Sequence, residues 1–115
     1  MRIRMAQVFP NGTDLDYSID MLRFTHAATW TLVTIPLWAT TITIIPLVTT
    51  IVAIETTNGD GGAVAAGDDY ISLLAGSSLE IAVSKKNLPT SVSAIFIAGN
   101  PGVGEVGLIA EAARR

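Results

Sequence analysis

Ala27-Ala28-Thr29-Trp30-Thr31-Leu32-Val33-Thr34-Ile35-Pro36-Leu37-Trp38-Ala39-Thr40-Thr41-Ile42-Thr43-Ile44-Ile45-Pro46-Leu47-Val48-Thr49-Thr50-Ile51-Val52-Ala53-Ile54 runs for 28 residues without a charged side chain, and its reading decides the fold. About 20 apolar residues suffice to cross a bilayer, so length alone permits a membrane helix. Composition points elsewhere. Eight of the 28 are threonine, and most of the apolar ones are Ile, Val or Trp, the residues that suit a pleated surface. Pro36 and Pro46 each remove a backbone donor and would break a single helix into short pieces. Thr29-Trp30-Thr31-Leu32 and Thr41-Ile42-Thr43-Ile44 alternate polar and apolar at period two, as strands with one buried face do. The stretch therefore reads as three strands punctuated by the two prolines.

Working outward, Pro10-Asn11-Gly12-Thr13-Asp14 is a turn, since Gly and Asn accept positive φ and Pro pre-sets its own. Before it, residues 1–9 read as an opening strand or arm, with Met1, Ile3 and Met5 on one side and Arg2 and Arg4 on the other. Leu15 to His26 fits two patterns. Leu15, Tyr17, Ile19 and Met21 alternate as in a strand, while Leu15, Ile19 and Leu22 fall at helical spacing. The strands that follow favour extended structure. Residues 1–26 are thus an N-terminal arm or first strands, and 27–115 the sandwich domain.

Beyond Ile54 the chain is a series of short strands with turn signals roughly every ten residues. Thr57 to Gly62 is a Gly/Asn/Asp loop that continues through small residues to Asp68-Asp69. Tyr70–Leu74, Leu79–Ser84, Ser91–Ala98 and Val106–Ala110 read as strands, separated by Ala75-Gly76-Ser77-Ser78, Lys85-Lys86-Asn87-Leu88-Pro89 and Gly99-Asn100-Pro101-Gly102. Seven or eight short strands spaced in this way predict an all-β protein, a β-sandwich or jelly roll with an N-terminal arm.

Composition bounds the role. The 115 residues make one domain, able to bury roughly two-thirds of its unfolded surface. Half are hydrophobic and only 15% charged, against a typical quarter, which predicts that subunit contacts take up apolar surface. A net charge of −3 offers no field for nucleic acid. Without cysteine there is no disulfide or thiolate metal site. The N-terminus lacks the apolar run of a signal peptide.

Several motifs invite chemistry and are outweighed. Gly102-Val103-Gly104-Glu105-Val106-Gly107 matches the dinucleotide-binding glycine spacing, but eight residues after Gly107 leave no room for the helix and distal acid. Gly99 to Val106 has Walker A spacing with Glu105 where the phosphate-binding lysine belongs. His26, the single histidine, has no recognisable nucleophile around it. Asp60, Asp68 and Asp69 offer oxygen ligands for Ca2+ at a spacing that matches no established loop. Trp30 and Trp38 suit a sugar-stacking platform, but in an apolar stretch they suit core or subunit-interface anchors better. The reading calls for no catalytic residue, cofactor or metal, and for an interface that draws on Trp30, Trp38, Ile42 and Ile44.

Val33-Thr34-Ile35-Pro36-Leu37-Trp38-Ala39-Thr40-Thr41-Ile42-Thr43-Ile44 resembles small β-sandwich structural proteins of tailed bacteriophages, the head decoration, cement and fibre-type modules. Asp69 to Ile81, with its Ala-Gly turn, and Ser93 to Gly99, followed by a Gly-rich turn and Val106-Gly107-Leu108-Ile109, continue the likeness. The resemblance implies a non-enzymatic virion protein, assembled in the host cytoplasm, that decorates or cements a capsid. Its partners would be itself, as a trimer first, and a major capsid or other virion protein, with no nucleic acid and no membrane. It brings no catalytic residue. A carbohydrate- or receptor-binding fibre module, using Trp30 or Trp38 and the 58–69 loop, is the alternative, and a small membrane protein using residues 27–54 the third.

Overall fold

The computed structural model describes residues 7–83, 94–99 and 102–112. The regular elements among them are all strands: β1 (Gln7–Val8), β2 (Ile19–His26), β3 (Thr31–Thr34), β4 (Thr41–Pro46), β5 (Thr50–Ala53), β6 (Ile71–Leu73), β7 (Leu79–Ala82), β8 (Ala94–Gly99) and β9 (Gly104–Glu111). The uncharged stretch supplies β3, β4 and β5. Pro36 lies in the β3–β4 connection and Pro46 closes β4, positions where a missing donor costs the ladder little. No helix among the described residues is long and apolar enough to cross a membrane.

Pairing is nested. β2 pairs with β9, β3 with β8, β4 with β7 and β5 with β6, all antiparallel. That pattern is one long two-stranded ribbon whose apex is the 54–70 connection. Folding the ribbon over adds the β4–β9 and β5–β8 ladders. The result is two sheets, β2-β9-β4-β7 and β3-β8-β5-β6, with β1 added in parallel beside β3. Two packed four-stranded sheets built this way are a jelly roll. At the β6–β7 connection Gly76 adopts φ 85°, which only glycine takes cheaply, and Ser77 N–H closes the turn onto Leu74 O.

Alternation places the core. Ile42, Ile44 and Pro46 of β4 and Val106, Leu108 and Ala110 of β9 point inward, against Val33, Val52, Ile95 and Ile97 of the facing sheet. Each such aliphatic side chain, fully buried, contributes about 1.5–3 kcal/mol. Ile42 and Ile44, expected at a subunit contact, are 0% exposed within the single chain and have no area to give to another. The N-terminal stretch expected as an arm or first strands contains β1 and β2. β2 runs beside β9 for all eight of its residues and buries Phe24 and His26, so its second half belongs to the sandwich. Leu15, Tyr17, Ile19 and Met21, whose alternation suggested a buried face, are instead exposed, because Leu22, Phe24 and His26 carry the inward parity.

β5 is buried at every position because both its faces are covered. Val52 enters the main core, while Ile51 and Ala53 join a second cluster with Trp30 and Ala98, against which Val64 and Phe96 pack. The chain covers this outer face with its own 54–70 connection. The two-sided apolar strands of this sheet therefore leave less for subunit contacts than composition suggested. The expected strand at Ser91–Ser93, the turns at 85–89 and 100–101, the arm residues 1–6 and the charged end 113–115 lie outside the described residues.

Candidate interaction surfaces

Three places gather the side chains of interest. The first is the 54–70 connection. Trp30, 1% exposed, stands edge-on to Tyr70 (centroids 6.2 Å, 61°) and Phe96 (6.4 Å, 74°). Its backbone pairs with the connection on both sides: Trp30 N–H donates to Gly62 O at 2.8 Å, and Gly61 N–H donates to Trp30 O at 2.7 Å. Asp68 accepts from Trp30 Nε1–H (3.0 Å), Thr57 N–H (2.8 Å) and Ala65 N–H (2.8 Å). The two backbone donors, with the indole adding to them, hold the Asp68 pKa down to about 2. Asp60 accepts from Leu32 N–H at 2.9 Å. The Ca2+ reading of Asp60, Asp68 and Asp69 thus gives way to a pinning role for two of them, and no three of His, Cys, Asp and Glu gather as a metal set among the described residues. Past the last β5–β6 pair, Val52 with Ile71, the two chains separate and leave a cleft of about 570 Å3 lined by Glu55, Asp69 and Tyr70 among others.

The tryptophans do not form a platform. Trp38 sits apart from Trp30, half-buried against the main core, and donates Nε1–H to Asn11 O at 3.1 Å. With Leu37 N–H donating to Gly12 O, it fastens the 10–13 turn to the β3–β4 connection. Of the four expected interface residues, Trp30, Ile42 and Ile44 are inside the chain, and Trp38 is partly so.

The second place is the end of the sandwich where β2 stops. His26, 1% exposed, lies 2.9 Å from Thr50 Oγ1 through Nε2. With the Thr50 hydroxyl donating to Val48 O at 2.8 Å, the imidazole meets it as a donor from Nε2. Nδ1 is buried with no hydrogen-bond partner among the described residues. Burial, the largest cause, lowers the His26 pKa below 6.5.

The third place is the outer face of the β2-β9-β4-β7 sheet, which no segment among the described residues covers as 54–70 covers the other sheet. Register lines its outward side chains into rows. One reads Met21, Ile109, Thr43, Glu80; the next reads Arg23, Gly107, Ile45. Ile19, Glu111, Thr41 and Ala82 border one end. Thr25 pairs with Glu105 at the other, where Leu47 N–H donates to Glu105 O at 3.0 Å. Met21 is 68% exposed, and Ile19 and Leu47 are also open to solvent. Gly107 lacks a side chain and forms the floor of a shallow groove of about 460 Å3, with Met21, Ile45, Leu47 and Ile109 around it. Arg23 and Glu105 form an ion pair at its rim. Residues 15–26 carry no assigned outward face in the sequence reading; the signal was present in β2 and β9, where apolar residues occupy both parities.

The class defined by these features is a β-only jelly roll with a packed interior. No protein-family model matches the chain, and no curated protein matches it. Among solved structures it is similar to an HTH_3 family transcriptional regulator from Vibrio cholerae, at TM-score 0.53 and 12% identity over 87% of this chain. The chain spans about half of that regulator, 46% of its length, and at this identity the likeness is one of fold.

Proposed function

We propose that the protein is a non-enzymatic structural module that works by associating with copies of itself. The observation that carries this reading is the apolar outer face of the β2-β9-β4-β7 sheet, which the described residues leave uncovered. Antiparallel sheets with a solvated face ordinarily alternate apolar-in and polar-out, and here Met21, Ile45, Leu47 and Ile109 break that pattern. The side chains that suggested chemistry have structural employment: Asp68 and Asp60 hold the connection, and His26 is tied to Thr50. Sedimentation velocity at micromolar concentration, without detergent, tests the reading. An oligomer supports it, and a stable monomer of about 12 kDa refutes it.

Within that class we place the protein in the shell of a virus particle, as a decoration or cement protein bound to a capsid subunit. The support is the strand-and-turn likeness at Val33–Ile44, Asp69–Ile81 and Ser93–Gly99, on a fold that also serves viral capsids. Finding the chain on purified icosahedral particles by mass spectrometry is the test, and its absence from them sinks this placement. The similarity to a regulator favours a second reading, an accessory half of a transcriptional regulator. Retention of the natural gene product on immobilised DNA would favour that reading over the first.

A further inference from the structure

We infer that two copies of this chain pack face to face through their β2-β9-β4-β7 sheets about a twofold axis, with the groove over Gly107 filled by the other copy. The inference rests on the self-association proposed above and names its surface and symmetry. The face is built of strands eight, eight, six and four residues long, which at about 3.4 Å per residue and about 4.8 Å between strands present roughly 420 Å2, so two faces remove on the order of 850 Å2 in projection alone. Side-chain relief adds to that projection and brings it to the roughly 1,000 Å2 of a small specific interface. The face also has the anatomy of one. Its centre is apolar and its charges, Arg23 and Glu105 at one end and Glu80 and Glu111 at the other, lie at the rim.

A twofold suits what the face displays. An isologous contact needs every feature to have its complement on the same surface, and this surface carries a projecting Met21 and a notch at Gly107. A Cβ built on Gly107 comes no nearer than 3.8 Å to Ile45 O, so the notch is open space a partner's side chain can enter. Met21 is unbranched and flexible, well suited to fill it. Arg23 and Glu105, paired within each copy, are likewise opposite charges on one face, and an exchange of partners across the interface would set Arg23 of each copy against the partner's Glu105. Two twisted sheets stacked in this way align at about 30° and bury their facing side chains as a sandwich core does.

The test is analytical ultracentrifugation of the full chain and of surface variants, each checked by circular dichroism for the strand spectrum. Met21→Glu places a charge beside the groove, and Gly107→Val fills the notch from below. Both are expected to raise the dimer dissociation constant at least tenfold, whereas Leu74→Glu, exposed beside β6 in the other sheet, leaves it unchanged. Arg23→Glu and Glu105→Arg should each weaken the dimer alone, and an equimolar mixture of the two should form a one-to-one heterodimer, because only the mixed pair restores opposite charges across the axis. A dimer indifferent to Met21→Glu and Gly107→Val overturns this interface and leaves self-association standing. A trimer overturns the twofold, and a wild-type monomer at tens of micromolar removes both readings.

Discussion

The Asp68 carboxylate takes hydrogen bonds from three N–H groups, Trp30 Nε1, Thr57 and Ala65, and so joins the start of β3 to both arms of the ribbon apex. Its pKa in the folded chain is about 2, against 3.8 for a free aspartate. The unfolded chain therefore takes up the proton first as pH falls. The stability Asp68 contributes is complete above about 3.8 and is lost between there and about 2. We expect Asp68→Asn to flatten that part of the stability profile and to make the 54–70 connection the first site of proteolytic nicking. Urea midpoints measured from pH 5 to 2 check the first effect. His26 acts the same way at higher pH. Burial lowers its folded pKa below 6.5, so its contribution is intact above 6.5 and is lost as pH falls through the folded value. His26→Gln should remove the slope that begins below 6.5; an unchanged slope would mean that another group titrates there.

At the level of the element, β4 separates packing from association within two adjacent residues. Ile44 is buried between the sheets and Ile45 faces outward beside Gly107. Ile44→Ala should cost about 2–5 kcal/mol of monomer stability through lost contacts and the cavity left behind. Ile45→Thr should stay within about 0.5 kcal/mol in the monomer, as surface changes do, while loosening the dimer. Chemical denaturation beside sedimentation resolves the two. The same strand shows what the sequence made legible. Thr41-Ile42-Thr43-Ile44 announced its inward face, the prolines marked the breaks, and Ala75-Gly76 marked a turn. What it did not announce was coverage. Ile51 and Ala53 are apolar for the sake of Trp30, about twenty residues back, and of the connection that follows them, whereas Ile45 and Ile109 are apolar on a face the described residues leave open. Period-two reading gives the parity of a strand and not what lies over each side. Trp30 and Trp38 stood out in the sequence as core or subunit-interface anchors, and their partners, Asp68 and Asn11, are set by ribbon folding and not by neighbouring sequence.

Across the whole molecule, every ladder of the main sheets except β5–β6 and the parallel β1–β3 edge joins distant segments; Arg23 lies opposite Gly107 and Thr31 opposite Ile97. Closing such loops before contacts reward the closure slows folding into the millisecond-to-second range typical of β-sandwiches. Stopped-flow refolding followed by tryptophan emission should report a phase in that range, dominated by burial of Trp30. A microsecond phase carrying the full amplitude would contradict the topology.

One consequence of the nested pairing concerns synthesis on the ribosome. β9 lies between β2 and β4, the earlier-made strands of its sheet, and is translated after both. Until residues 104–111 emerge, β2 and β4 border a slot one strand wide, with open donors and acceptors on both sides. The slot fits a β9 from another chain as well as its own, the tether favouring its own, so crowded polysomes are where domain-swapped pairs would form.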